Sequence, residues 1–119
     1  MDVLIVEDTP EVRSAYGRVL EGAGYMVKAV DNGLAALAEL QQGSYSVILL
    51  DILMPFLEGK SLFRQLEADF PDMTKKVLFV TGMAGDRDTL EFLEQTGQPF
   101  LKKPVDAKQL VEAVRRMMG

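Results

Sequence analysis

The stretch Val47-Ile48-Leu49-Leu50-Asp51 constrains the fold of this chain more than any other. Four apolar residues in a row, without polar alternation, predict a strand buried on both faces. Such strands belong to parallel sheets covered by helices on either side. Met54-Pro55 follows closely and cannot prolong a central strand, because proline has no N–H for the ladder. The strand therefore stops after delivering one carboxylate, Asp51, to its carboxyl end. In open α/β sheets that is the edge where ligands bind.

Two further runs read the same way. Val3-Leu4-Ile5-Val6 ends in Glu7-Asp8, and Val77-Leu78-Phe79-Val80 ends in Thr81-Gly82. Thr9-Pro10-Glu11 predicts a helix start, with Thr9 as cap and Pro10 at the first helical position. Val12, Tyr16, Val19, Leu20 and Ala23 then share one helical face, and Gly22 and Gly24 mark its end. Met26 to Val30, broken by Lys28, predicts an edge strand. Asp31-Asn32-Gly33 turns into a second helix with Leu34, Leu37 and Leu40 inward. A third helix opens at Glu58-Gly59, buries Leu62, Phe63, Leu66 and Phe70, and ends at Pro71-Asp72. A fourth runs from Asp86 to Gln95 with a thin apolar face of Leu90, Phe92 and Leu93, which predicts the loosest helix. Pro99-Phe100-Leu101 predicts a short edge strand, and a last helix buries Leu110, Val111, Val114 and Met117. Five strands alternating with five helices predict an α/β fold with a parallel sheet between two helical layers.

Composition narrows the function. The 119 residues suit one domain spanning 1–119. There is no cysteine and no histidine, which excludes thiolate or imidazole metal sites and histidine-based triads. A net charge of −5 gives no footprint for nucleic acid, and no apolar run has the length of a membrane span. The start lacks a basic region ahead of an apolar stretch, so the expected location is the cytoplasm.

The polar residues of interest all fall at strand ends: Glu7 and Asp8 after the first, Asp51 after the third, Thr81 after the fourth, Lys103 after the fifth. Parallel strands bring those ends to one rim. Carboxylates crowded together repel unless a cation shares the site. Oxygen donors without nitrogen or sulfur suit Mg²⁺ or Mn²⁺. A carboxylate nucleophile, a hard cation, a hydroxyl and a lysine are the parts needed for phosphoryl transfer. Taken singly, Asp51 reads as a turn cap, Glu7-Asp8 as favourable charge at a helix start, Thr81 as a loop hydroxyl and Lys103 as a solvated lysine. Their common rim favours the joint reading.

With Leu4-Ile5-Val6-Glu7-Asp8, Asp51 within Leu49-Leu50-Asp51-Ile52-Leu53-Met54-Pro55, Gly59, Thr81-Gly82 and Phe100-Leu101-Lys102-Lys103-Pro104 in this order, the chain resembles the receiver domain of two-component response regulators over essentially its whole length. The resemblance implies a flavodoxin-like, doubly wound (βα)5 fold with strand order 2-1-3-4-5. It implies Asp51 as phosphoacceptor, with Thr81 and Lys103 on the phosphoryl oxygens. It implies Mg²⁺, replaceable by Mn²⁺, on Glu7, Asp8, Asp51 and the Leu53 carbonyl. Thr81 and Phe100 would form the switch, acting on the surface of helix four, strand five and helix five. A histidine kinase or histidine phosphotransfer domain would dock near Val12, Ala15 and Pro104, and phosphorylation could drive dimerisation. The Lys103–Pro104 bond is expected to be cis. Such a domain is no enzyme beyond its own phosphorylation and slow dephosphorylation. Leu53 and Met83, two residues past Asp51 and Thr81, cannot orient a water and imply slow dephosphorylation. The run Gln98 to Val105 leans toward receivers of hybrid sensor kinases, excised from a longer chain. The acidic pair is Glu-Asp where Asp-Asp is also common, and Phe100 stands where tyrosine is frequent.

Other classes fit less well. Haloacid-dehalogenase-like phosphatases need a second aspartate two residues after the nucleophile, where this chain has Leu53. A flavodoxin-type flavin site needs a Ser/Thr/Gly-rich loop after the first strand, where Glu7-Asp8 would repel a phosphate. A receiver-like interaction module that is never phosphorylated would have no use for the full set of acidic pair, aspartate, threonine and lysine.

Overall fold

The computed structural model describes residues 2–52, 59–82 and 85–119. Five strands, β1 (Val3–Val6), β2 (Val27–Val30), β3 (Val47–Asp51), β4 (Val77–Thr81) and β5 (Phe100–Lys102), form one sheet in the order β2-β1-β3-β4-β5. All four pairings are parallel. The helices are α1 (Pro10–Gly22), α2 (Gly33–Gln42), α3 (Gly59–Asp69), α4 (Arg87–Thr96) and α5 (Ala107–Met118), with a 3₁₀ helix over Pro71–Lys76. The expected fold class and strand order hold, and β2 and β5 are the edges.

The unbroken apolar runs have a direct cause. Successive strand residues point to opposite faces, so a strand covered on both must be apolar throughout. Leu4, Val6, Ile48, Leu50, Val77 and Phe79 pack into the core with Ala36, Leu40, Leu62, Leu66 and Phe92 of α2, α3 and α4. Val3, Ile5, Val47, Leu49, Leu78 and Val80 pack into the other with Tyr16, Leu20, Leu110 and Val114 of α1 and α5. β2, with Lys28 and Ala29 exposed, and β5 are partly open, as edge strands are.

Several details depart from the sequence expectations. Leu34 is 63 % exposed rather than inward. Each three-residue step falls 60° short of a full turn, so Leu34, Leu37 and Leu40 span 120° and only the last lies fully on the buried stripe of Gly33, Ala36 and Leu40. Ala23 is exposed because α1 has already ended there, with Ala23 at its C-cap. Met26 precedes β2 and is 62 % exposed. β5 begins at Phe100 rather than Pro99, although the Pro99 carbonyl still accepts from Phe79 N at 3.1 Å. Thr9 occupies the N-cap of α1, but its side chain makes no capping bond. Phe70, expected to be buried by the third helix, is half-buried and leads into the 3₁₀ helix, which stands where Pro71-Asp72 was expected to end the helix.

Candidate functional site

Register builds the site. Val6 pairs with Leu50, so one step further Glu7 and Asp51 leave adjacent strands side by side. Both continue the alternation of Ile5 and Leu49 and lean toward the α1 and α5 layer. Glu7 is 1 % exposed and Asp51 6 %. Asp8 follows at the rim, partly exposed. Glu7, Asp8 and Asp51 each offer a carboxylate oxygen within 4.8 Å of the others.

Lys103 answers that negative charge. Its Nζ donates to Asp51 Oδ2 at 3.0 Å and to Glu7 Oε2 at 3.1 Å. The Lys103 N–H donates to the Thr81 carbonyl at 2.8 Å, and the Lys103–Pro104 bond is cis, as expected. Burial opposes the lysine's charge, but the hydrogen bonds and charges of Asp51 and Glu7 outweigh it and raise its pKa above the usual lysine value. Burial first, and then the Asp51 charge, push the Glu7 carboxyl up to about 7, with Lys103 and Thr9 N–H opposing. Two buried carboxylates therefore share one ammonium, an arrangement with room in its charge balance for a further cation.

The donor set fits a hard divalent ion: oxygen alone, from three carboxylates in one cluster, with no nitrogen or sulfur ligand. The carbonyl of Leu53 and the side chain of Met83 lie outside the described residues.

Thr81 ends β4, 1 % exposed, and pairs with Lys102 in register. Phe79 pairs with Phe100 two residues earlier. Thr81 and Phe100 thus project from neighbouring strands on the same side of the sheet, the side of the α3 and α4 core, where Phe100 is half-buried. Phe63, Phe79 and Phe92 form a ring cluster there, with centroids 5.5 to 5.9 Å apart.

Val12, Ala15 and Pro104, expected at a docking surface, line one groove of about 510 Å³ with Glu11, Tyr16, Val105 and Lys103. The groove runs between α1 and the segment after β5, and the Lys103 that bridges Glu7 and Asp51 forms part of its wall.

Two contacts are not legible in the sequence. There Gly59 stands only as a helix start and part of the receiver pattern. A Cβ there would lie 2.5 Å from the Asp51 carbonyl oxygen and 2.6 Å from Ile52 Cα, so the backbone of α3 touches the end of β3. Arg13, one turn into α1, donates from Nη1 to the Glu7 carbonyl at 3.0 Å and to the Asp8 carbonyl at 3.4 Å. A cation four residues past the cap of a helix that follows an acidic pair was the available signal.

The response regulator receiver domain family model matches residues 3–115. The response regulator receiver protein CpdR of Brucella abortus is 33 % identical over 116 residues, covering 98 % of this chain and 95 % of that protein. PilH of Pseudomonas aeruginosa is 31 % identical, covering 98 % and 97 %. The sensor kinase CckA of Brucella abortus is 34 % identical, but the match takes in only 12 % of its length. Among solved structures, the signal receiver domain of a signal transduction histidine kinase from Syntrophus aciditrophicus superposes with a TM-score of 0.87 at 30 % identity, over 98 % of this chain and 89 % of that one. No described helix is long and apolar enough to cross a membrane. A family match over nearly the whole chain, relatives aligned end to end and the superposition on a solved receiver domain agree that this chain belongs to the response regulator receiver domains of two-component signalling.

Proposed function

We propose that residues 1–119 act as one phosphoacceptor domain, and that Asp51 takes a phosphoryl group from a phosphohistidine carried outside these residues, which contain no histidine. An Asp51 carboxylate oxygen forms the new P–O bond. The P–N bond of the donor breaks, and the imidazole nitrogen keeps its electron pair. The observation that carries this reading is the bridge from Lys103 Nζ to Asp51 and Glu7 at 3.0 and 3.1 Å. It keeps an ammonium beside the oxygen that must react, where it can bind a phosphoryl oxygen once the group arrives. Thr81 would supply a hydroxyl to another oxygen. Glu7, Asp8 and Asp51, with the Leu53 carbonyl, would hold Mg²⁺ or Mn²⁺, which when bound neutralises charge on the transferring oxygens.

The donor is a histidine kinase or histidine phosphotransfer domain, docked over the apolar groove of Val12, Ala15 and Pro104 beside the rim. The response passes through Thr81 to Phe100, whose shared side of the sheet supports the coupling, and changes the surface of α4, β5 and α5. Leu53 and Met83 favour a long-lived phosphoryl group. The domain catalyses nothing beyond its own modification.

Labelling with acetyl phosphate in Mg²⁺ tests the assignment. The wild type should take up an acid-labile, hydroxylamine-sensitive phosphoryl group, and Asp51→Asn should take up none. Equal labelling of Asp51→Asn would place the acceptor elsewhere. A wild type that never labels would leave an interaction module that works without phosphorylation.

A further inference from the structure

We propose that Arg13 is a positioning residue for the acidic pair, fixing the Glu7-Asp8 backbone so that both carboxylates meet Asp51. The inference rests on the metal-assisted phosphoacceptor reading above and assigns a new part of that site.

The connection between β1 and α1 is only Glu7, Asp8 and Thr9. Its carbonyls at Glu7 and Asp8 come before the helix. The first α1 amide bond at this end, Arg13 N to O of Thr9 at 2.9 Å, reaches no further back. Thr9 makes no side-chain cap, and its N–H is turned to Glu7 Oε1 at 3.3 Å. The Arg13 guanidinium bonds both carbonyls, at 3.0 and 3.4 Å. One rigid planar head therefore ties two consecutive peptide units to α1. Peptide units held by nothing would otherwise sample many backbone conformations, and ordering them costs entropy. With the two peptides held, the Glu7 and Asp8 side chains start from fixed points toward the oxygen cluster they form with Asp51.

Electrostatics gives the opposite sign, which makes the idea testable. A cation near a cation site repels the incoming metal. Removing the Arg13 charge should then tighten metal binding if charge were all that mattered. Loss of positioning should weaken it, by about tenfold or more for a group that orients ligands from behind.

The experiment titrates Mn²⁺ into the 119-residue protein, with free Mn²⁺ counted by electron paramagnetic resonance. Arg13→Ala should weaken binding by about tenfold. Arg13→Lys, which keeps the charge and a donor nitrogen but not the planar guanidinium, should fall between it and the wild type. Arg18→Ala removes the same charge from an exposed position further along α1 and should leave the affinity unchanged. In metal-free protein, ¹⁵N relaxation should show Asp8 and Thr9 loosened in Arg13→Ala while the thermal midpoint stays close to wild type. Unchanged or tighter Mn²⁺ binding by Arg13→Ala overturns the proposal, as does an equal loss in Arg18→Ala or a collapse of the metal-free melting transition. Should the wild type bind no Mn²⁺, the metal reading fails on its own. The relaxation arm still decides the Arg13 role, since equally rigid loop amides in both proteins would refute it.

Discussion

Gly59 shows how a single missing atom holds the site in place. Its N–H donates to the Ile52 carbonyl at 2.8 Å, and a Cβ would press on Asp51 O, Ile52 Cα and Ile52 O at 2.5 to 2.9 Å. Backbone cannot rotate aside as a flexible side chain can. In an open helix Gly→Ala gains up to about 1 kcal/mol. Overpacking costs about 1–3 kcal/mol or more, and here it should win. Gly59→Ala is expected to lose about 1–2 kcal/mol in urea unfolding and to label more slowly with acetyl phosphate, because the Asp51 peptide must shift. A variant as stable as wild type would show that the α3 approach relaxes freely. At the same scale the residues that gather at the rim were legible beforehand: Asp51 and Thr81 end strands, and Glu7, Asp8 and Lys103 follow strands within two residues. The pairing of Lys103 with both Glu7 and Asp51 was not, since the positions are 96 and 52 residues apart.

Among the elements, α4 depends most visibly on its ends and on one ring. Asp86 caps it, accepting from Thr89 N–H and Thr89 Oγ1 at 3.0 Å, and Gly97 closes it at φ 70°. On its buried side Phe92 meets Phe63 and Phe79, with Arg64 and Lys60 of α3 over its ring at 5.3 and 5.8 Å. The hydrogen bond from the Thr89 amide, then that from its hydroxyl, holds the Asp86 carboxyl below its ordinary value of 3.8. A depressed carboxylate pKa gives stability that is complete above 3.8 and lost as pH falls through the folded value. The Thr89 amide should therefore exchange faster, relative to the intrinsic rate, as pH drops from about 5 to about 3. In Asp86→Asn, which can still cap but does not titrate, that local dependence should vanish. If both proteins lose protection in parallel, the titrating group is not Asp86. The sequence showed α4 and its apolar residues, but placed its start at Asp86, one residue early, because a cap looks helical until its φ and ψ are known.

For the whole molecule, the proposed docking groove and the proposed Thr81-to-Phe100 relay lie on opposite sides of the sheet. The groove of Val12, Ala15 and Pro104 belongs to the α1 and α5 side, whereas Thr81 and Phe100 project toward the α3 and α4 core. Separate surfaces predict separable variants. Ala15→Arg should slow transfer from a phosphohistidine partner by about tenfold or more while acetyl phosphate labelling stays as in wild type. Thr81→Ala should keep partner docking but weaken the chemical-shift changes that phosphorylation causes around Phe100. Wild-type shift changes in Thr81→Ala would disprove the coupling, and an Ala15→Arg protein that also fails with acetyl phosphate would mean the rim itself was disturbed.

The chain alone determined the layers, the strand order through its family pattern, and which polar residues stand at the rim. Unbroken apolar runs can be satisfied only between two helical layers, and a polar residue at each run's end must then emerge at one edge. Those are local properties, readable along the backbone. Which groups touch was decided only by tertiary structure. Leu34 turned outward because the helix phase is fixed by what α2 packs on. Lys103 came to lie between Glu7 and Asp51, Gly59 against the Asp51 peptide, and Arg13 under the acidic pair because of strand register and helix placement. Contacts between residues far apart in the chain depend on angles and offsets between elements, and a sequence pattern carries periodicity but not those offsets.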